Sequence, residues 1–125
     1  MATACLHVSF KRCLGLILSN LRFGGSDIAP RRRLEIARAL ATQPLLLALD
    51  EPAAGMNPTE KEELKKLLIN LNRTGISILL IEHDVKLVMG LCDSVYVLDR
   101  GQIISFGDPE KVQKDPKVID AYLGK

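Results

Sequence analysis

The stretch Leu45-Leu46-Leu47-Ala48-Leu49-Asp50-Glu51-Pro52 constrains the fold of this chain more than any other. Five apolar residues run unbroken into two carboxylates, the pattern of a strand buried on both faces that delivers its acids to the end of a sheet. Open α/β sheets gather their ligands at that end. Asp50 suits Mg²⁺, held directly or through water, because that cation takes oxygen ligands and keeps part of its hydration shell. Glu51 could orient or polarise an attacking water. Taken alone the pattern is common, and a buried strand that ends in two solvated acids explains it equally well.

A second apolar run, Ile76-Ser77-Ile78-Leu79-Leu80-Ile81, ends in Glu82-His83-Asp84. It places His83 at the tip of a neighbouring strand, where a neutral imidazole could meet a terminal phosphate or the attacking water. A lone histidine at a strand end is usually a surface residue. Its pairing with Asp50-Glu51 turns the argument toward phosphoryl chemistry.

The elements between these strands read clearly. A helix is expected from about Arg32 to Ala41, with Leu34, Ala37 and Ala41 on one face, Ile36 and Leu40 beside it, and Arg33 and Arg38 free for solvent or phosphate. Thr42-Gln43-Pro44 stops it. Leu64, Leu67, Leu68 and Leu71 give the stripe of an amphipathic helix, with the charges from Glu60 to Lys66 read as a solvated face. Asn57, Pro58 and Glu60 have the order of a capping box with a first-turn proline. Asn72-Arg73-Thr74-Gly75 is a helix stop, and Val85, Val88, Met89 and Cys92 form the core side of a short helix. Residues 94–98 and 102–106 read as strands joined through Asp99-Arg100-Gly101, and Asp108-Pro109 and Asp115-Pro116 open two terminal helices. Strand, helix, strand, helix, strand is an α/β order with parallel pairing, and the last hairpin adds antiparallel edge character.

Composition excludes several classes. With 47% hydrophobic and 26% charged residues the 125-residue chain is an ordinary globular sequence of one domain at most. The net charge of +2 is unevenly spread: residues 1–33 carry six Lys or Arg against one Asp, and the remainder is mildly acidic. No basic stripe or aromatic series argues for nucleic acid. Cys5, Cys13 and Cys92 show no CxxC spacing, so neither a zinc site nor a disulfide framework is implied and a reducing compartment fits. No apolar run approaches a membrane span. In residues 1–31 the run Leu14-Gly15-Leu16-Ile17-Leu18 lies among basic residues and weakly resembles a targeting sequence without a clear cleavage site. A strand or helix, or a segment foreign to the fold through a frameshift, an alternative start or misassembly, are the other readings, and the last is preferred.

The ordered set Arg32 to Leu40 (Arg-Arg-Leu-Glu-Ile-Ala-Arg-Ala-Leu), Asp50-Glu51-Pro52, Ala53-Ala54-Gly55-Met56-Asn57-Pro58 and Ile81-Glu82-His83-Asp84 resembles the second half of an ABC transporter ATPase. Glu82 to Asp93 and Pro116 to Gly124 narrow the resemblance to the ATP-binding subunit of branched-chain amino-acid importers. The resemblance implies a partial P-loop NTPase-like sheet with flanking helices, the first half of the cassette being missing. It divides the chain into residues 1–31 without a match, a partial ATPase domain at 32–107 and a helical tail at 108–125.

It further implies ATP and Mg²⁺ as cofactors. Asp50 would hold the metal, Glu51 would activate water and His83 would sense the γ-phosphate, while Ala54, Gly55, Met56 and Asn57 would form the loop that crosses a dimer interface, with Asn57 where an aspartate is usual. A second ATPase subunit and membrane permease subunits are the implied partners, and the implied location is cytoplasmic, at the inner face of the plasma membrane through those partners. Two departures stand out. The glycine signature expected directly before Arg32 reads Ser26-Asp27-Ile28-Ala29-Pro30-Arg31, with Gly24-Gly25-Ser26 as a displaced remnant, and nowhere is there a Gly-x-x-x-x-Gly-Lys-Ser/Thr phosphate loop. The alternative is therefore a non-catalytic fragment that binds an intact subunit, or a remnant. Chromosome-maintenance ATPases share a similar half-cassette but would need a long heptad segment, and the chain has none. An isolated chain of this kind is expected to be only marginally stable, because strands meant for a sheet interior become edges.

Overall fold

The computed structural model describes residues 2–7 and 28–123, with side chains from 31 to 121. Their order is β1 (Ala2–His7), α1 (Ile28–Leu40), β2 (Leu46–Asp50), α2 (Pro58–Arg73), β3 (Ser77–Glu82), α3 (Val85–Met89), β4 (Val95–Asp99), β5 (Gln102–Gly107), α4 (Pro109–Gln113) and α5 (Pro116–Leu123). The chain divides into two compact units. One holds β1, Ala48–Glu51 and the chain from Ile78 onward, and the other includes Pro52–Ser77 and the chain before Ala48 that contains α1.

The strands join in one sheet in the order β2-β3-β1-β4-β5. The Ser77 N–H bonds the Leu45 carbonyl and the Glu51 N–H bonds the Ile81 carbonyl, each at 2.9 Å, so β2 and β3 advance together and are parallel. β1 is antiparallel to both β3 and β4, pairing Ala4 with Ile81 on one side and with Tyr96 on the other. Residues 2–7, which carry no motif, thus take a central position in the sheet. β4 and β5 form the expected hairpin, with a register shift after Val97. Its turn needs two left-handed residues, Arg100 at φ 49° and Gly101 at φ 79°, where the sequence pointed to glycine alone.

Alternation along the strands decides the core. Ile78, Leu80, Val95 and Val97 are buried, together with Leu87 and Val88 of α3, Val112 of α4 and Val118 of α5. Ser105 pairs with Val97 across β4 and β5, and its hydroxyl donates to Asp115 at the start of α5 at 2.6 Å, so α5 is tied to the Val97 side of the sheet. Tyr96 and Phe106 stack on the other side with ring centroids 4.2 Å apart. Cys92 is buried, as read, but it is disulfide-bonded. Spacing along the sequence does not show which cysteines a fold brings together, and it implied no such bond.

β2 is the edge of the sheet, and there the expectation of burial on both faces is corrected. Leu47 is buried, whereas Leu45 is 65% and Leu46 49% exposed, so the strand alternates as a half-covered edge does.

In the second unit α1 begins at Ile28, four residues before the expected start. Pro30 falls in its first turn, where no intrahelical N–H is required. Ile36 and Leu40 are buried while Leu34 is 53% exposed, so the buried face is rotated from the one read in the sequence. Arg33, expected to be free, pairs with Glu63 of α2. The helix ends through Gln43 in a left-handed conformation, φ 53°. On α2, Leu64, Leu68 and Leu71 are buried as the stripe predicts.

Candidate functional site

β2 and β3 carry the acids and the histidine because parallel neighbours end on the same side of a sheet. The register is held by the Glu51 N–H bond to the Ile81 carbonyl. That bond places the residue after β2 beside the residue after β3, and the Glu51 carboxylate meets the His83 ring, Oε1 to Nδ1, at 3.1 Å. An ionised carboxylate only accepts, so Nδ1 carries the shared proton and, in the neutral ring, Nε2 presents its lone pair.

Both side chains are open, His83 63% and Glu51 53% exposed. An exposed pair of this kind contributes about 0–1 kcal/mol to stability. It has little value as a staple, which leaves its geometry to be explained by what it can do. Glu51 also sits at φ 43°, a left-handed conformation unfavourable for a residue with an unbranched acidic side chain. Backbone strain of this sort, held by the sheet register beside it, clusters where side chains must be aimed. Asp50, exposed at the last position of β2, offers its carboxylate at the same sheet end.

Asp84 closes the site on the other side. Its Oδ1 accepts the Leu87 N–H at 3.1 Å as the N-cap of α3, so the chain turns into the helix directly after His83. Glu82, which the sequence reading passed over, is 1% exposed, and its Oε2 accepts the His83 N–H at 3.2 Å. The signal was available: Glu82 continues the alternate positions Ile78 and Leu80, the buried face of a period-two strand.

The loop from Ala53 to Asn57 belongs to the second unit. Ala53 and Met56 are buried, and Gly55 takes φ 76°, which its lack of a Cβ permits. Asn57 forms the full capping box: its side chain accepts the Glu60 N–H at 3.0 Å, and Glu60 accepts the Asn57 N–H at 2.9 Å. This draws Glu60 into a buried position, unlike the solvated role given to it with its neighbours. Gly24, Gly25 and Ser26 lie outside the described residues. Among the described residues no cluster of three or more His, Cys, Asp or Glu could hold a metal ion. No helix among them is long and apolar enough to cross a membrane.

Residues 102–125 match the family model of the branched-chain amino acid ATP-binding cassette transporter. The chain is 52% identical over 108 residues to the high-affinity branched-chain amino acid transport ATP-binding protein LivG of Escherichia coli K12, covering 86% of this chain and 40% of the relative. BraF of Pseudomonas aeruginosa, with the same description, is 49% identical over the same length, 42% of its own chain. The chain corresponds to the C-terminal half of an ABC transporter ATP-binding subunit, most similar to those of branched-chain amino-acid transport.

The structure of the ADP conformation of MJ1267, an ATP-binding cassette of an ABC transporter, superposes on this partial cassette with a TM-score of 0.75 at 31% identity. It covers 90% of this chain and 49% of that one. The α/β architecture with flanking helices is that of a cassette. The partial cassette spans about 40% of the length of the curated relatives it matches. The 108 matched residues also exceed the stretch from Arg32 to Lys125, so the likeness reaches into the segment before Arg32.

Proposed function

We propose that this chain provides the hydrolytic end of an ATP-binding subunit of an ABC transporter for branched-chain amino acids. The reading is carried by the contact between Glu51 and His83 at the ends of two parallel strands, with Asp50 beside it. The relatives' descriptions as branched-chain amino acid transport ATP-binding proteins support the substrate class.

The residues present suit part of a Mg·ATP site. Mg²⁺ is commonly bound through one or two carboxylates with phosphate oxygens and water completing its shell, and Asp50 is an exposed carboxylate of that kind. The metal would neutralise charge that develops on the transferred phosphoryl group. Glu51 accepts a hydrogen bond from water and orients it for attack. His83 holds the Glu51 carboxylate through Nδ1 and leaves Nε2 to accept a proton or a hydrogen bond. Ala54, Gly55, Met56 and Asn57 would face a second ATPase subunit, and permease subunits would tie the assembly to the membrane from the cytoplasmic side. Gly24, Gly25 and Ser26 would be what remains of the signature. By this reading 32–107 is ATPase domain and 108–125 its tail.

A second reading is favoured by one observation. The 125 residues contain no Gly-x-x-x-x-Gly-Lys-Ser/Thr, so the amides and lysine that cradle phosphates must come from elsewhere. The chain by itself is then a non-catalytic cassette piece that binds a subunit bearing such a loop. A chimera in which this chain's matched residues replace their counterparts in the E. coli relative tests the first reading. It should hydrolyse Mg·ATP, and Glu51→Gln should reduce the rate about 10²-fold or more. A chimera that folds, binds nucleotide and hydrolyses equally well with Gln at 51 would refute it.

A further inference from the structure

The tripeptide Glu82-His83-Asp84 aims one side chain outward and fixes the two that flank it. Asp84 is spent on capping α3. Glu82 is the last residue of β3 and points to the same side as Ile78 and Leu80, which are 6% and 0% exposed. A carboxylate there is costly to bury, and an apolar side chain would continue the alternation with less penalty. At that position Oε2 accepts the backbone N–H of His83 at 3.2 Å. One residue earlier, the Ile81 carbonyl accepts the backbone N–H of Glu51 at 2.9 Å. The two partners of the 3.1 Å contact between Glu51 and His83 are therefore each held by the backbone N–H, and β3 provides both acceptors.

We propose that Glu82 is a positioning residue for His83. Its buried carboxylate holds the backbone where the strand ends, so that the imidazole leaves the sheet toward Glu51 instead of following the turn into α3. In this role Glu82 acts on the site through His83. The importance of that role for hydrolysis rests on the function proposed above, but the positioning itself does not.

The test is hydrogen exchange and imidazole ¹⁵N NMR on the full 125-residue chain, comparing Glu82→Gln and Glu82→Leu with the parent. Gln keeps a carbonyl acceptor and Leu has none. In Glu82→Leu the His83 amide should exchange on the order of tenfold faster, and its ring nitrogens should lose the unequal pattern of a ring bonded through Nδ1, while the Leu80 and Val97 amides keep their rates. In Glu82→Gln the His83 amide should stay within about twofold of the parent. Equal acceleration at Leu80 and Val97 would assign Glu82 to packing and overturn the proposal, as would an unchanged His83 in a folded Leu variant. Should the Leu variant not fold, the Gln variant decides: a His83 amide and ring like the parent's support positioning, and disturbed ones refute it. Loss of the hydrolysis reading in the chimera would leave this result untouched, so the two claims fail separately.

Discussion

Asp115 joins β5 to α5 through both oxygens: Oδ2 accepts from the Ser105 hydroxyl at 2.6 Å, and Oδ1 accepts the Lys117 N–H at 3.0 Å. The Ser105 bond first, then the Lys117 amide, hold the Asp115 carboxyl below its ordinary value, against a smaller opposing effect of desolvation. A carboxylate whose pKa is lowered on folding stabilises the fold above its unfolded pKa, and that contribution is lost as pH falls through the folded value. Ser105→Ala should move the Asp115 titration up toward that of a free aspartate, read by carboxyl ¹³C shifts. An unmoved titration would mean the hydroxyl contact does not persist in solution.

Asn57 is exposed, yet its side chain accepts one orphan N–H at the start of α2, that of Glu60, while the Glu60 carboxylate accepts the N–H of Asn57 itself. Asn57→Ala should lower stability by about 1 kcal/mol, and Asn57→Asp should retain most of it, because aspartate caps equally well and favours a helix N-terminus. Urea midpoints at constant m-value provide the measurement.

Burial on α1 and α2 separates two leucines that the apolar pattern places alike on core faces. Leu68 is fully buried, and Leu68→Ala should cost about 2–5 kcal/mol. Leu34, 53% exposed, should cost no more than about 0.5 kcal/mol when truncated in the same way. Similar losses at the two positions would place Leu34 in a core after all.

Glu51 holds φ 43° without the freedom of glycine. Glu51→Gly should therefore leave the fold as stable as before or raise stability by about 0.5–1 kcal/mol, while the hydrolytic function proposed for this position is lost. A clear destabilisation in thermal or urea unfolding would show that the side chain, not the backbone conformation, matters to the fold.

The sequence was legible where a pattern is local. The capping box at Asn57 and Glu60, the stripe on α2, the hairpin through Gly101 and the acids and histidine at the ends of β2 and β3 all follow from spacing over a few residues. It was illegible where the answer depends on distant partners. Nothing in Ala2–His7 announces a strand between β3 and β4, because pairing partners 70 or more positions away leave no local mark. Leu46 reads as core until β2 proves to be an edge, and Glu82 reads as part of a motif until its alternation with Leu80 buries it. Arg33 reads as a free cation until α2 brings Glu63 to it.

Equilibrium binding of Mg·ATP to the purified 125-residue chain tests the central division most directly: hydrolytic acids and histidine present, phosphate cradle absent. Calorimetric titration should show no saturable binding below about millimolar nucleotide, for the parent and Glu51→Gln alike, since exposed Asp50 and Glu51 alone give a few contacts to a solvated metal. Saturation in the micromolar range would contradict that division and locate a phosphate site within these residues that no glycine motif marks.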